Sequence, residues 1–315
     1  MQLSVILGLG QTALELALFN SLTVLALFLS YSMLNVCDLS TDGCYALGAA
    51  VGAVVAIAGH PWLSIPAAMG AGMLSGLVTA VLQTRMGVNS LLAGIIVNTG
   101  LYSVNIWIMG GSSLLNMNKT VTAFTMLKEA LKGTPLSGAY ALIIGLVAVA
   151  AVILFQSAFL RTRLGLAIRA TGNNPDMVRS SSINPAFTTT VGLCISNSFT
   201  ALSGCLLAQS QKSVTVDIGS GMVTVALASL LIGGIFLGQR SIPLRAVGAV
   251  LGAFVFRLVY TIALRFNLPA FMLKLISSVI VVIAISGPYL KSQLPNIRRR
   301  MAAKHGKGGR ADAAH

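Results

Sequence analysis

The sequence predicts an all-α fold: a polytopic membrane helix bundle of about nine spans (range about eight to ten), since one span takes ~20 apolar residues. Three observations predict it. Of 315 residues, 56% are hydrophobic and only 9% are charged, where a soluble domain carries about 25% charge. Mean hydropathy is +0.86. The basic excess, a net charge of +14, is spread between long apolar runs. That distribution is a topology signal and argues against a nucleic-acid partner. A soluble enzyme and a disordered chain are excluded on the same grounds. The lipid bilayer is the first partner implied.

Taken in order, the spans are expected at 12–35, with Glu15 near its start; at 45–59; at 65–84, closed by Arg85; and at 88–109. They continue at 138–160, followed by Arg161 and Arg163; at 186–208; at 221–238, followed by Arg240; at 243–264; and at 269–288. The second is short, and it spans only if 36–44 also enters the membrane, buried in protein. No basic n-region or small-residue cleavage site opens the chain, so the first apolar stretch is expected to be retained.

Loop charges set the orientation. With the N-terminus outside, the inner side holds Arg85, Arg161, Arg163, Arg169, Arg179, Arg240, Arg245 and seven basic residues of the tail. The outer side holds Lys119, Lys128, Lys132, Lys212 and Arg265. Fourteen against five places the C-terminus in the cytoplasm. Residues 1–290 then form the transmembrane domain, and 161–185 is its longest inner connection. Residues 291–315 are a basic cytoplasmic tail, expected to be disordered and to touch anionic lipid.

Chemistry is conspicuous by its absence. Cys37, Cys44, Cys194 and Cys205 form no CxxC pair, and His60, His305 and His315 offer no metal-ligand spacing. The thiols are expected to be free, with no metal bound. A phosphate loop, a nucleophile set and a pair of acids placed for proton transfer are all missing. The chain is therefore expected not to be an enzyme, and any energy for transport must come from elsewhere. The pairs Gly48–Gly52, Gly72–Gly76, Gly234–Gly238 and Gly248–Gly252 have the spacing that lets helix backbones approach closely.

Three segments break the apolar pattern. Residues 35–49 contain Asn35, Asp38, Ser40, Asp42 and Gly43 between two spans. Ionisable groups at membrane depth are costly and point to function. They suit an interrupted helix lining a solute path, with Asp42 capping a helix from about Gly43; a plain cytoplasmic turn is the alternative. In 161–185, Asn174 or Asn173 is placed to cap a short helix that starts at Pro175, presents Met177, Val178 and Arg179, and ends near Ser181 ahead of Pro185. Such a helix suits docking in a groove of a soluble partner; a bare loop is the alternative. Finally, Asp217 before Gly219 and Gly221 echoes Asp42 before Gly43. By the charge topology the two lie on opposite sides, as inverted repeats would place them; chance is the alternative. Among buried polar residues such as Asn98, Asn105, Ser196, Asn197, Ser203, Arg257 and Lys274, most are expected to bond between helices or to snorkel.

The pattern Arg163-x-Gly165-x-Ala167-x-Arg169-Ala170-x-Gly172-x-Asn174-Pro175, followed by Ile183-Asn184, resembles the coupling segment of bacterial ABC importer permeases. The branch is the branched-chain amino acid and ribose permease superfamily. Asn35-x-x-Asp38-Leu39-Ser40-Thr41-Asp42-Gly43, followed by Leu47-Gly48-Ala49, is similar to the Asp-Leu-Thr-Val-Asp-Gly signature of one subfamily. That subfamily is associated with tryptophan, tyrosine or related amino acids. Ser40, Thr41, Cys44 and Tyr45 depart from its commonest residues. The resemblance covers roughly 12–290.

The resemblance implies a permease in the bacterial cytoplasmic (inner) membrane that carries an aromatic or hydrophobic amino acid or a derivative. A second permease copy would complete the path, most simply as a homodimer. Two ATPase subunits, which would bind ATP and Mg on their own chains, would grip Arg169, Gly172, Asn173, Asn174, Pro175, Met177, Val178 and Arg179. An extracytoplasmic binding protein would deliver the solute. Path or gating roles fall to Asn35, Asp38, Ser40, Asp42, Asn98, Asn197 and Asp217. The alternatives are an ion-coupled secondary transporter using Asp38, Asp42 or Asp217, an ABC importer for nucleosides or sugars, and a structural or biogenesis membrane protein.

The orientation has a direct test in a cysteine-depleted background. A membrane-impermeant thiol reagent added outside should label a cysteine engineered near Ser112 and spare one near Arg300. The reverse pattern overturns the topology.

Overall fold

The computed structural model describes residues 2–132, 138–237 and 241–265, with 275, 278, 279, 281, 282 and 286. Beyond those few positions the expected span at 269–288 and the basic tail lie outside the described residues, as do Lys274 and Gly238. The described residues hold eleven α-helices and one two-stranded sheet. They are α1 (Gln2–Leu27), continued by a π-helical turn over Phe28–Met33; α2 (Thr41–Ile57); α3 (Ser64–Thr84); α4 (Ser90–Ile108); α5 (Ala123–Ala130); and α6 (Tyr140–Phe159). Then come α7 (Arg163–Asn173), α8 (Pro175–Ser180), α9 (Pro185–Gln211), α10 (Met222–Leu237) and α11 (Ile242–Arg265). Seven helical segments are long and apolar enough to cross a membrane, and α2 is a shorter apolar helix. All eight fall where the hydropathy pattern puts them.

Burial is ordered as a lipid solvent demands. The helix over Tyr140–Phe159 has the highest mean hydropathy of the seven, 2.5, and is the least buried. The helix over Pro185–Gln211 has the lowest, 1.5, and is the most buried. With no hydrophobic drive between helices in lipid, the centre is held by close backbone approach and by polar bonds. Helix α9 supplies both. A Cβ at Gly48 would collide with the Ala201 backbone, and one at Gly72 with the Asn197 backbone. The two GxxxG pairs on α2 and α3 are thus contact faces onto α9. On α10 the close approach to α11 is made by Gly233, while Gly234 faces open space. Ser196 donates to the Ala26 carbonyl at 2.8 Å and Ser203 to the Phe19 carbonyl at 2.6 Å, tying α9 to α1.

The two ends of the bundle differ. At one, β1 (Leu114–Asn116) pairs antiparallel with β2 (Ser213–Thr215), and Gln209 at the end of α9 accepts from the Ala123 amide of α5 at 3.0 Å. At the other, α7 and α8 cover the start of α9, with the Thr171 and Thr188 hydroxyls 2.8 Å apart.

Two helices start inside the bundle. The Cys44 thiol donates to the carbonyl of Asn197, which lies midway along α9, so α2 begins at mid-bundle. Its 17 residues reach only about 25 Å at the helical rise. The stretch from Leu34 to Ser40 has no helix; it opens at Asn35, whose φ of 56° is the left-handed conformation that Asn tolerates well. Helix α10 also starts there. From β2 the chain descends beside α2 through a 3₁₀ turn over Val216–Gly219, until Gly219 lies against the Asp42 carbonyl.

Gly48→Val should strip folded yield, because its side chain meets backbone, which cannot rotate away; overpacking of this kind costs about 1–3 kcal/mol. Val54→Leu, on the exposed face of the same helix, should be neutral. Size-exclusion profiles of the two variants in mild detergent read the difference.

Candidate functional site

The two mid-bundle helix starts create two polar clusters. A helix begins with N–H groups that have no intrahelical partner, and lipid offers them none. Asp38, fully buried, meets part of this need for α2. Its Oδ1 accepts from the Ser40 amide at 2.8 Å and the Ser40 hydroxyl at 2.6 Å, and its Oδ2 accepts from Asn197 Nδ2 at 2.8 Å. Thr79 of α3 donates to the Ser40 hydroxyl at 3.2 Å. Three predicted site residues, Asp38, Ser40 and Asn197, are therefore together, but in a closed structural knot.

Asp42 behaves differently from its predicted role. Helix α2 starts at Thr41, with Ser40 at its N-cap position, so Asp42 sits in the first turn and does not cap its own helix. Its carboxylate reaches across to α10, accepting from the Gly221 amide at 2.9 Å and the Val223 amide at 2.8 Å. It thus caps the neighbouring helix. Gly221 has φ 86°, a left-handed conformation that strains other residues and that lets both amides face the carboxylate. Asp42 and the Asp217–Gly221 segment, expected on opposite sides, meet at this bond. The reason is geometric: each segment enters the bundle from its own end and both stop at mid-depth.

Around that bond lies a polar cavity of about 410 Å³, formed by α2, α4 and the turn before α10. Three predicted path residues line it: Asp42, Asn98 and Asp217. So do Thr99, Tyr102 and Ser103, which the sequence reading did not single out, and Asn105, which it named only as a buried polar residue. The missed signal is a polar stripe at helical spacing on α4, an otherwise apolar span. Asn105 donates to the Gly43 carbonyl at 3.2 Å, while its Oδ1 is buried without a partner. The Asn98 amide lies against Gly43, where a Cβ would collide with it. Asn35 is exposed at the chain break and outside this cavity.

The loop over 161–185 folds as two helices, not one. Thr162 caps α7 by accepting from the Gly165 amide at 3.2 Å. Asn174 caps α8, its side chain accepting from the Asp176 and Met177 amides at 3.1 Å each, with Pro175 first in the helix. Met177 is 55% exposed, Arg179 is exposed and Arg169 half-buried. Val178, expected on the presented face, is buried instead, because it anchors the short helix to the bundle. Gly172 packs against the backbone of Met33 and Leu34, at the end of the first helix. Asn173, Asn174 and Pro175 are exposed. Among the described residues no group of three or more His, Cys, Asp or Glu side chains is placed to hold a metal.

Capping in trans separates the two aspartates on α10's side of the cavity. Asp42→Ala should lower the thermal stability of the detergent-solubilised chain, since the part-buried Val223 amide loses its acceptor, at about 1–3 kcal/mol, while the exposed Gly221 amide can turn to water. Asp217→Ala, whose side chain is exposed, should leave the melting profile unchanged. Equal behaviour of the two would show that Asp42 is not a structural cap.

Comparisons with known proteins agree with this architecture. Residues 12–285 match the family described as branched-chain amino acid transport system / permease component. A tyrosine transport system permease protein of Clostridioides difficile (strain R20291) is 28% identical, over 91% of this chain and 94% of its own. An uncharacterized protein of Rickettsia prowazekii (strain Madrid E) is 31% identical, over 87% of this chain and 96% of its own. A fructose import permease protein of Bifidobacterium longum (strain NCC 2705) is 27% identical, over 81% of this chain and 73% of its own. No solved structure matches the chain. With a family match over nearly its whole length, the chain belongs to the branched-chain amino acid transport system permease component family.

Proposed function

We propose that the chain is the membrane subunit of an ATP-binding-cassette importer for a small solute, an aromatic or hydrophobic amino acid or a derivative. One observation carries this beyond the family assignment. A capped helix pair, α7 and α8, offers Met177 and Arg179 at one end of a bundle whose sequence holds no nucleotide-binding motif. Power must then arrive through a protein contact. Two ATPase subunits, binding ATP and Mg themselves, receive the α8 helices of two permease copies, and an extracytoplasmic binding protein supplies the solute. The tail end faces the cytoplasm of a bacterial cell, by the positive-inside rule. The seven long helices and α2 support a count of about nine spans, the ninth being expected at 269–288 from its apolar sequence alone. The amino-acid class is supported by the relative named for tyrosine. A sugar is the second reading, supported by the relative named for fructose.

Coupling is a population shift. ATP closes the ATPase pair, the α8 helices follow, and the side on which the bundle is open changes. The permease itself breaks and makes no covalent bond.

The test is Met177→Asp. Losing an interface anchor that fills a pocket costs ~2 kcal/mol or more, and the new charge adds to that. The variant should insert and dimerise, fail to transport, and recover far less ATPase when the tagged chain is purified from its host in mild detergent. Full ATPase recovery moves the dock elsewhere, with the basic tail next in line.

A further inference from the structure

A groove of about 630 Å³ runs between α3 and α6, with α9 as its floor. On α6 it extends from Ile143 to Phe155, about 18 Å at the helical rise. One leaflet of hydrocarbon is about 15 Å deep, half of the bilayer core. The groove opens at the end that carries α5, where Trp62 and Leu127 flank it. By the charge topology that end is outside. It stops at Phe155, whose ring meets Phe199 edge to face with centroids 5.9 Å apart. Among the described residues that line it, only Ser198 and Trp62 carry a side-chain nitrogen or oxygen, and the Ser198 hydroxyl already donates to the Ile195 carbonyl at 2.8 Å. Water settles in a cavity only with several polar partners, and the groove does not supply them. Left empty, its walls would forfeit dispersion contacts. An apolar chain is the filler that remains.

We infer that the groove seats one acyl chain of an outer-leaflet phospholipid, whose phosphate meets the Lys128 ammonium at the mouth. Length decides between occupants. A helix of a second permease copy needs a seat along the whole core, about 30 Å, and this one ends near mid-depth. The span expected at 269–288 follows α11 closely in sequence, and α11 meets the opposite face of α6, where Val250 and Phe254 lie with Leu146 and Ile153. A single lipid chain has the length that is left. The mouth suits its headgroup. Lys128 follows Leu127 on α5, is exposed, and stands 5.6 Å from the centroid of the Tyr140 ring, on the turn before Ile143. The exposed charges beside it in sequence, Glu129 and Lys132, leave the mouth net positive. Trp62, also exposed, is of the type that lies at headgroup level. The lipid would complete the seating of α6. That helix is tied to α1, with Gln156 donating to the Leu25 carbonyl at 3.0 Å and Gly145 close to Leu18 and Phe19, while the groove separates it from α3. The inference goes beyond the permease reading and takes from it only the orientation in the membrane.

The test is native mass spectrometry of the full chain purified in mild detergent. The added probes are dipalmitoyl phosphatidylglycerol and dipalmitoylglycerol, which has the same chains and no phosphate. One phosphatidylglycerol per chain should survive detergent washing that strips the rest. Dipalmitoylglycerol should bind up to about fivefold more weakly, the scale of one exposed ion pair. Lys128→Ala should bring phosphatidylglycerol down to that level and leave dipalmitoylglycerol unchanged. Ala151→Phe, which builds a ring into the groove from an exposed position, should lose both lipids. Leu154→Phe, exposed on the same helix but outside the groove, should keep both. Size exclusion checks folding, and Met73→Trp, which fills the groove from α3, decides if Ala151→Phe fails to fold. No lipid retained by the unmodified chain, or equal retention by Ala151→Phe and Leu154→Phe, overturns the seat. A dimer turned to monomer by Ala151→Phe also overturns it, by putting a second copy in the groove. Equal binding of the two lipids overturns the phosphate contact, and a reversed thiol-labelling pattern overturns the leaflet. ATPase recovery should be normal with every variant, so a failure of the permease reading shows separately, in the unmodified chain.

Discussion

Two helices that begin within an apolar bundle present N–H groups that lipid cannot satisfy, and the rest of the structure is arranged around meeting that need. Each helix start carries roughly half a positive charge, and α2 and α10 bring theirs together. Unopposed, the two would repel and leave donors unpaired. Two carboxylates resolve this. Asp38 serves the start of α2 and Asp42 the start of α10. The second bond is made across helices, so the start of α10 is complete only with α2 beside it.

The remaining helices make the centre habitable for these charges. Helix α9 is the least hydrophobic of the long helices, and it alone reaches α1, α2, α3 and α5 through polar or small side chains. In water such a helix would lie at the surface; in lipid the order is reversed and the polar face turns inward. Asn197 shows why the position matters. Its amide binds Asp38, and its backbone carbonyl takes the Cys44 thiol while lying against Gly72. One residue therefore registers α2, α3 and the connector before α2 against each other.

The span pattern was legible because apolar length and loop charge are local properties. Each of the eight helices that can be compared lies within a few residues of its expected range. The short second span required residues 36–44 to enter with it; in the structure 36–40 are non-helical chain and 41–44 are the first turn of α2. Local reading failed where a side chain serves a distant partner. Asp42 has the spacing of a cap for its own helix, and nothing near it in sequence reveals that its partners are Gly221 and Val223. Thr99, Tyr102 and Ser103 were passed over because single polar residues in a span read as incidental, although together with Asn98 and Asn105 they form one stripe. Val178 was misassigned since a six-residue helix has too few positions to reveal which side is anchored.

The connector that carries Asp38 also runs from α7 to the polar cavity. At its start, Met33 and Leu34 lie under Gly172 of α7, with no side chain between the backbones. At its end are Ser40 and the first turn of α2, which lines the cavity through Asp42 and Gly43. Only seven residues separate Met33 from Thr41, and they run without the compliance of a solvated loop, because Asp38 and Leu39 are clamped by Asn197 and by Gly94 of α4. A displacement of α7 and α8 therefore bears first on Met33 and Leu34, and next on the carboxylates at the helix starts. Packed interiors shift between discrete arrangements more readily than they deform continuously. The bond from Asp42 to α10 is the natural place for such a shift to register. It joins helices that run to opposite ends of the bundle, and it forms part of the cavity wall.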